Sequence, residues 1–115
     1  MSWTTLCELN DILPNSGRAA LVDGEQVALF RIANNGEDKL FAISNYDPFS
    51  EANVLARGLV GSLQEQLVVA SPIYKQHFNL ATGQCLEDEA VRLKTWKVKL
   101  ENGAIAIATE ATVAA

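Results

Sequence analysis

Ser71, His77 and Asp88 are the residue types that hydrolases combine for nucleophilic catalysis, and they lie close together in this sequence. A serine nucleophile needs a tight turn that exposes its hydroxyl, commonly built with glycine on either side. Ser71 instead lies between Ala70 and Pro72, and the chain has a single histidine. A serine and an aspartate near that histidine are expected by chance. His77 is better interpreted as a surface or half-buried histidine bonded to the backbone.

The candidate metal ligands are few and lack a recognisable spacing. Cys7 and Cys85 form no Cys-x-x-Cys pair, and neither His77 nor Asp47 stands at ligand spacing from them. One histidine excludes every site that needs two, such as zinc held by two cysteines and two histidines, or the iron triad of two histidines and a carboxylate. The sequence therefore predicts no metal and no cofactor on this chain.

The charged residues exclude one class of partner. Nine Lys and Arg against 14 Asp and Glu give a net charge of −5, which argues against binding to nucleic acid. Glu87, Asp88 and Glu89 are consecutive, so on an extended chain their carboxylates do not converge. A solvated acidic loop is the simpler interpretation of this run, and a docking patch is the alternative. The seven glycines are scattered and form no phosphate-binding loop.

The amino-terminal residues show no targeting or membrane segment. They include neither a positively charged region nor an apolar stretch typical of a signal peptide, and no apolar run approaches the roughly 20 residues that span a bilayer. We therefore expect a cytoplasmic protein without membrane contact. Free, buried thiols are expected for Cys7 and Cys85 in a reducing compartment, although the sequence leaves a disulfide between them open.

Turn-forming residues separate short apolar segments, which predicts an all-β fold. Asp23-Gly24, Asn34-Asn35-Gly36 and Asn102-Gly103 suit hairpin turns, because Gly and Asn tolerate positive φ. Such short strands with frequent turns favour a sandwich of antiparallel sheets, formed by residues 1–115 as a single domain. The expected strands are residues 19–22, 27–32, 40–44, 67–70, 96–100 and 104–108.

Two further features of this pattern concern faces and loops. The alternation in residues 95–100 predicts that Trp96, Val98 and Leu100 share one face and that the intervening lysines lie in water. Helical character is weak, and residues 11–13 and 50–57 are each expected to form one or two helical turns at most. Loops on a rigid sheet often carry function, and the longest connections are residues 45–61, 71–77 and 87–93.

These loops resemble the cluster-binding loops of Rieske-type ferredoxins. Residues 40–50 (LFAISNYDPFS) are similar to the strand that leads into that family's Cys-x-His box. Residues 69–83 (VASPIYKQHFNLATG) are similar to its second loop, Cys-Pro-x-His-Gly followed by Phe and Thr-Gly. Residues 96–105 resemble its closing hairpin. The likeness covers nearly the whole chain in order and implies a Rieske-like all-β sandwich.

The resemblance fails at all four ligand positions. Asp47 and Phe49 stand where the family has its first Cys and His, and Ser71 and Tyr74 stand where it has the second pair. His77 falls three residues beyond the last ligand position. Because a [2Fe–2S] cluster needs thiolates on at least one iron, we predict that this chain holds no cluster.

One branch of the superfamily has lost its ligands in this way. Residues 42–49, 53–60, 70–72 and 86–89 resemble the small subunits of cytoplasmic NAD(P)H-dependent nitrite reductases. The resemblance implies an accessory subunit whose partner is a large catalytic subunit. That large subunit would carry sirohaem, an iron–sulfur cluster and FAD, and would reduce nitrite to ammonia with electrons from NAD(P)H. The alternative function is a stand-alone β-sandwich module that binds a protein or a small ligand.

The substituted loops suggest two roles. In the structural one, Phe49 and Tyr74 fill the volume of two imidazoles, while Asp47 and Ser71 accept hydrogen bonds from loop N–H groups. In the second role, the loop tips form a docking surface for a partner. Exposed aromatic residues support this role, since they make good interface anchors. The candidate docking residues are Tyr46, Phe49, Tyr74 and His77.

Overall fold

The computed structural model describes residues 3–34 and 36–109. Its helices among these residues are two single 3₁₀ turns, Leu9–Asp11 and Leu55–Arg57. None of the helices described is long and apolar enough to cross a membrane. The strands are β1 (Trp3–Glu8), β2 (Ser16–Val22), β3 (Glu25–Asn34), β4 (Glu37–Ser44), β5 (Tyr46–Asp47), β6 (Ala52–Asn53), β7 (Leu59–Leu63), β8 (Gln66–Ala70), β9 (His77–Asn79), β10 (Thr95–Trp96), β11 (Val98–Glu101) and β12 (Ala104–Ala108).

The strands form antiparallel sheets stacked in three layers. The central sheet has the order β10-β4-β3-β2, and three-stranded sheets of order β1-β12-β11 and β7-β8-β9 are the other two layers. The short strands β5 and β6 pair with each other within the first long loop. The predicted all-β fold of stacked antiparallel sheets is confirmed.

The alternation of β3 explains the layering. Val27 and Leu29 belong to the core cluster that includes Ile105 and Ile107 of β12. Ala28 and Phe30, which alternate with them along the strand, belong to the opposite cluster, with residues of β8 and β9. Because successive side chains of a strand point to opposite faces, β3 is buried on both sides and the central sheet separates two apolar cores.

One predicted strand is wrong. Residues 96–100 do not form a continuous strand, because the chain leaves the central sheet at Lys97, whose carbonyl accepts a hydrogen bond from Ala108 N–H (2.9 Å). β10 pairs with β4 and β11 pairs with β12. Trp96 is consequently buried, whereas Leu100 is 46% exposed, so the two do not share a buried face.

Residues 45–61, predicted as a loop, contain β5, β6, a 3₁₀ turn and the start of β7. The predicted turn at Asn34-Asn35-Gly36 includes Asn35, which lies outside the described residues. Asp23-Gly24 and Asn102-Gly103 do join hairpins, and all four residues have positive φ. The fold thus brings two long connections, which follow β4 and β8, to one place.

Candidate functional site

Asp47 and Ser71 connect the two long loops. Both side chains are fully buried. Ser71 Oγ donates a hydrogen bond of 2.5 Å to Asp47 Oδ2, which also accepts one from Ser50 Oγ at 2.9 Å. Asp47 Oδ1 accepts a hydrogen bond from Phe49 N–H at 2.9 Å. A buried carboxylate is stable only when it is hydrogen-bonded in this way.

The two loops repeat the same local turn. The turn begins at Asp47 in the first loop and at Ser71 in the second, and a proline follows each of them. The side-chain oxygen of this first residue accepts a hydrogen bond from the N–H two residues later. Its carbonyl oxygen accepts a hydrogen bond from the N–H four residues later. In the first loop these bonds are Phe49 N–H to Asp47 Oδ1 (2.9 Å) and Glu51 N–H to Asp47 O (2.8 Å). In the second they are Ile73 N–H to Ser71 Oγ (3.3 Å) and Lys75 N–H to Ser71 O (3.2 Å).

Each turn ends on a residue with positive φ, 56° at Glu51 and 68° at Lys75. Residues other than glycine, asparagine and aspartate rarely adopt this backbone conformation. The hydrogen bonds to Asp47 and Ser71 therefore hold two strained turns side by side. Asp47 and Ser71 act as the predicted acceptors of loop N–H groups, and they also bond directly to each other, which the sequence did not predict.

Asn45 holds the base of the first loop. It is 2% exposed, its Oδ1 accepts Ala56 N–H at 2.7 Å, and its Nδ2 donates to Gln26 Oε1 at 3.0 Å. Sequence reasoning missed this role. The available signal was an amide side chain directly after Ser44, the last residue of β4, where a buried Asn can satisfy both neighbouring segments.

The aromatic residues of the loops divide into an inner and an outer one. Phe49 packs against the core, with its ring centroid 6.2 Å from that of Phe78. Tyr74 is 60% exposed, so the expectation that it fills the volume of an imidazole is wrong. It lies at the tip of the turn closed by Ser71 and Lys75, which carries it out of the core.

His77 is tied to the third loop. Its Nδ1 lies 2.7 Å from Glu87 Oε2, and its backbone N–H donates to Glu87 Oε1 at 2.7 Å. Burial alone would raise the pKa of Glu87, but the two interactions with His77 outweigh it and hold that pKa below its ordinary value. Glu87 therefore does not behave as a freely solvated member of the acidic run.

Cys85 completes this array without becoming a nucleophile. Its Sγ lies 3.7 Å from Glu87 Oε1, and its side chain is 2% exposed. Burial raises the pKa of the Cys85 thiol above its ordinary value, which disfavours the reactive thiolate. Ser71 is likewise committed to Asp47, so neither residue is placed for nucleophilic catalysis.

Gln84 organises the third loop, residues 87–93. Its Nε2 lies within 3.1–3.3 Å of the carbonyl oxygens of Cys85, Asp88, Glu89 and Val91. Its Oε1 accepts a hydrogen bond from Arg92 Nε at 3.0 Å. Sequence reasoning missed this residue as well, because nothing about a lone glutamine indicates which carbonyls it faces.

Asp47 has a pKa below its ordinary value. Burial would raise this pKa, but the hydrogen bonds donated by Ser71, by Phe49 N–H and by Ser50 favour the charged form and outweigh it. The carboxylate is therefore ionised at neutral pH and serves as an acceptor. Within residues 3–34 and 36–109, no three acidic, cysteine or histidine side chains are grouped so that they could hold a metal ion.

Cys7 and Cys85 are both free and lie in different cores. Cys7 is half-buried against the cluster between the central sheet and β12, and Cys85 is buried in the cluster on the opposite side. The central sheet lies between these clusters, so the disulfide that the sequence left open does not form.

Residues 2–108 match the Rieske-like [2Fe-2S] domain family. The fold agrees with that match, but the side chains do not fit the cluster. Where the resemblance places four ligands, the chain has a carboxylate, a phenyl ring, a hydroxyl and a phenol. The carboxylate and the hydroxyl are hydrogen-bonded to each other. Iron in such a cluster needs thiolates, and neither cysteine lies at these positions.

Individual relatives identify the chain more specifically than the domain family does. The chain is 48% identical over 103 residues to the nitrite reductase (NADH) small subunit of Salmonella typhimurium, covering 90% of this chain and 94% of the relative. The solved structure of the Escherichia coli protein NirD superposes with a TM-score of 0.84 at 44% identity, over 92% of this chain and 94% of that one.

A third relative is much longer than this chain. The nitrite reductase [NAD(P)H] large subunit of Klebsiella oxytoca is 36% identical over 97% of this chain, which corresponds to 11% of that protein. A domain of this kind therefore also occurs within a large-subunit polypeptide. Together with the family match, these identities show that the chain belongs to the Rieske-like domain family and, within it, to the nitrite reductase small subunits.

Proposed function

We propose that this chain is the non-catalytic accessory subunit of a cytoplasmic NAD(P)H nitrite reductase. The observation that carries the proposal is its 48% identity over 94% of the Salmonella typhimurium small subunit. The partner is a large subunit that holds sirohaem, an iron–sulfur cluster and FAD, takes electrons from NAD(P)H and reduces nitrite to ammonia. Residues 1–115 act in this complex as one domain.

The loops contribute a shaped surface rather than an electron carrier. The hydrogen bond between Ser71 and Asp47 takes the place of a cluster between the two loops, since it joins residues that stand at ligand positions of the family. A rigid pair of turns can present side chains to a partner with little loss of conformational entropy on binding. Accessory binding is therefore the role that these residues support.

The proposed docking surface consists of Tyr46, Phe49, Tyr74 and His77. Tyr46 and Tyr74 are 42% and 60% exposed, and large exposed aromatic residues are typical anchors of protein interfaces. Phe49 packs on Phe78 and is only partly buried. His77 is half-buried and oriented by Glu87, so its ring is held in one position.

The activity of the complex tests the proposal. NADH oxidation coupled to nitrite and the ammonia formed are measured with the isolated large subunit, with and without this chain in equimolar amount. We expect nitrite-dependent turnover to rise when this chain is added and a stable complex to elute on size exclusion. If the two proteins fail to associate and turnover is the same in both samples, the assignment as an accessory subunit is wrong.

The docking surface is tested separately by Tyr74→Ala. The variant should keep its thermal stability, because the Tyr74 ring is mostly solvated, while its affinity for the large subunit falls about tenfold or more, as for an interface anchor. Leu100→Ala is the matched control, since Leu100 is also half-exposed but lies on β11 in a different sheet. If the wild type and Tyr74→Ala bind the large subunit with equal affinity, Tyr74 is not part of the interface.

A further inference from the structure

We infer that the free edge of β7 accepts an extended segment of the large subunit as an added, fourth strand of the β7-β8-β9 sheet. This inference rests on the proposed function and specifies how the partner is held. β7 is the sequence Leu-Val-Gly-Ser-Leu and lies at one edge of its sheet. Strand addition of this kind supplies main-chain hydrogen bonds, and pockets for alternate side chains give it specificity.

The backbone groups available on β7 follow from the hydrogen bonds of β8. Leu80 N–H donates to Leu67 O (3.0 Å) and Ser71 N–H donates to Gln76 O (2.9 Å), so the odd-numbered residues of β8 bond toward β9. In an antiparallel ladder alternate residues bond to opposite neighbours, so residues 66, 68 and 70 bond toward β7. Gly61 faces Val68 in that ladder, which leaves the N–H and C=O groups of Val60 and Ser62 at the outer edge.

β7 differs from the other edge strands of the described chain in having no protection against pairing. Exposed edges are usually protected by charges, bulges, short length or a covering segment. Arg18 lies on β2, Lys99 on β11 and Glu8 on β1, which also has a register shift. β5, β6 and β10 have two residues each, and Phe78 of β9 is bridged to Cys85.

β7 has no charged residue and no register shift over its five residues, and no strand of residues 3–34 and 36–109 pairs with its outer edge. Its side chains are also unusually apolar for an exposed edge, with Leu59 76% and Leu63 36% exposed. An unprotected, apolar edge is a liability in a protein that remains alone. Its presence indicates that a partner covers it.

A groove lies on each face of this edge. One, of about 480 Å³, is bounded by Val60, Ser62 and Leu67 on one side and by Ile32 and Ala33 of β3 on the other. The second, of about 260 Å³, lies over Gly61 on the outer face, beside Leu59, Leu63, Val68 and His77. Side chains of an added strand would point alternately to the two faces, so both grooves would be filled.

The size of the edge favours the large subunit over a second copy of this chain. Five residues of strand extend about 17 Å, and one such contact is far below the roughly 1,200 Å² that a stable interface buries. The edge must therefore belong to a larger interface. Leu59 is in register with Ala70, and Ala70 with His77, so the edge is continuous with the proposed docking surface.

Hydrogen exchange of the complex tests the pairing directly. In the free chain, the amide protons of Val60 and Ser62 should exchange rapidly, whereas that of Gly61 is already bonded to β8. When the unlabelled large subunit is added to the labelled chain, we expect the exchange of Val60 and Ser62 to slow by about tenfold or more, with little change at Gly61. Unchanged exchange at both edge residues in a formed complex would overturn the inference.

A matched pair of variants tests how much strand pairing at β7 contributes to the affinity for the large subunit. Ser62→Pro removes the outward N–H at a position where an edge strand tolerates proline, and Ser62→Thr keeps it. We expect Ser62→Pro to raise the Kd for the large subunit about tenfold and Ser62→Thr to change it by less than about twofold. Should Ser62→Pro fail to fold, Ser62→Lys replaces it, because an edge lysine also blocks strand addition.

The outcomes separate this inference from the proposed function. If the wild type binds the large subunit and the Ser62 variants bind equally well, strand addition is wrong and the accessory role stands. If the wild type does not bind, both are wrong. If the isolated chain forms a dimer that Ser62→Pro abolishes, the edge binds a second copy and the assignment of its occupant to the large subunit is overturned.

Discussion

Asp47 and Ser71 are buried polar residues whose hydrogen bonds depend on each other. The Ser71 hydroxyl can donate one hydrogen bond. It donates that bond to the Asp47 carboxylate, while its oxygen accepts a hydrogen bond from Ile73 N–H. Removing either partner would leave the other buried without its bond, which costs more than the bond contributes when it is made. The connection between the loops is therefore specific to this pair.

Ser71→Ala should lower the free energy of unfolding by about 1.5–3 kcal/mol, the range for a hydrogen bond to a charged group. Ser50→Ala is the control, because Ser50 donates to the same oxygen, Asp47 Oδ2, but from within the first loop. It should cost less, since only Ser71 joins loops that are distant in sequence. Urea unfolding of both variants measures the difference, and equal losses would contradict a cross-loop role.

The lowered pKa of Asp47 makes stability depend on pH. The unfolded chain has the ordinary aspartate pKa of about 3.9, so it binds a proton at a higher pH than the folded chain does. The contribution of Asp47 is therefore fully present above about pH 4 and is lost as pH falls through the lower, folded pKa. Unfolding followed between pH 7 and pH 2.5 should show a smaller acid loss in Asp47→Asn than in the wild type. Parallel curves for the two proteins would refute this role.

The sequence predicted the positions of these residues but not their mutual bond. The proline after each and the resemblance of the loops located Asp47 and Ser71. Their contact, however, joins residues 24 positions apart and depends on how the sheets stack. The same limit explains Tyr74, because residue volume alone does not indicate whether a ring at a turn points inward or outward.

The elements show a similar division between local and long-range information. Residues 104–108 were predicted as a strand with the bounds that β12 has, and the hairpin turns at Asp23-Gly24 and Asn102-Gly103 follow from local φ preferences. The break at Lys97 could not be predicted from alternation, because the pattern continues while the chain moves from one sheet to another.

Gly58 permits the first loop to pack on β8. A Cβ atom placed on Gly58 would lie 2.3 Å from the carbonyl oxygen of Ala70 and 2.6 Å from Val69 Cγ2. Gly58→Ala should therefore destabilise the protein by about 1–3 kcal/mol, the usual cost of overpacking. Gly61→Ala is the control, because a Cβ there has no neighbour within 4 Å. Thermal melts of the two variants check this, and a harmless Gly58→Ala would mean that the loop is not held in this position.

At the scale of the whole molecule, the chain has the stacked sheets of a Rieske-like domain, whereas its two long loops carry side chains other than the family's metal ligands. Two apolar cores on opposite sides of β3 hold the outer sheets, and the loops that follow β4 and β8 meet through Asp47 and Ser71. The fold class followed from turn spacing and strand patterns. The assignment to nitrite reductase small subunits depended on the particular residues at the former ligand positions, which composition could not supply.

Asp47 and Ser71, which stand at ligand positions of the family, are hydrogen-bonded to each other, and we propose that this chain holds no [2Fe–2S] cluster. The most direct test of this proposal is the iron and sulfide content of the purified chain, expressed with ample iron and examined by optical absorption and by EPR after reduction. We predict no [2Fe–2S] spectrum and no stoichiometric iron in protein that still binds the large subunit. A stoichiometric [2Fe–2S] signal would contradict the claim.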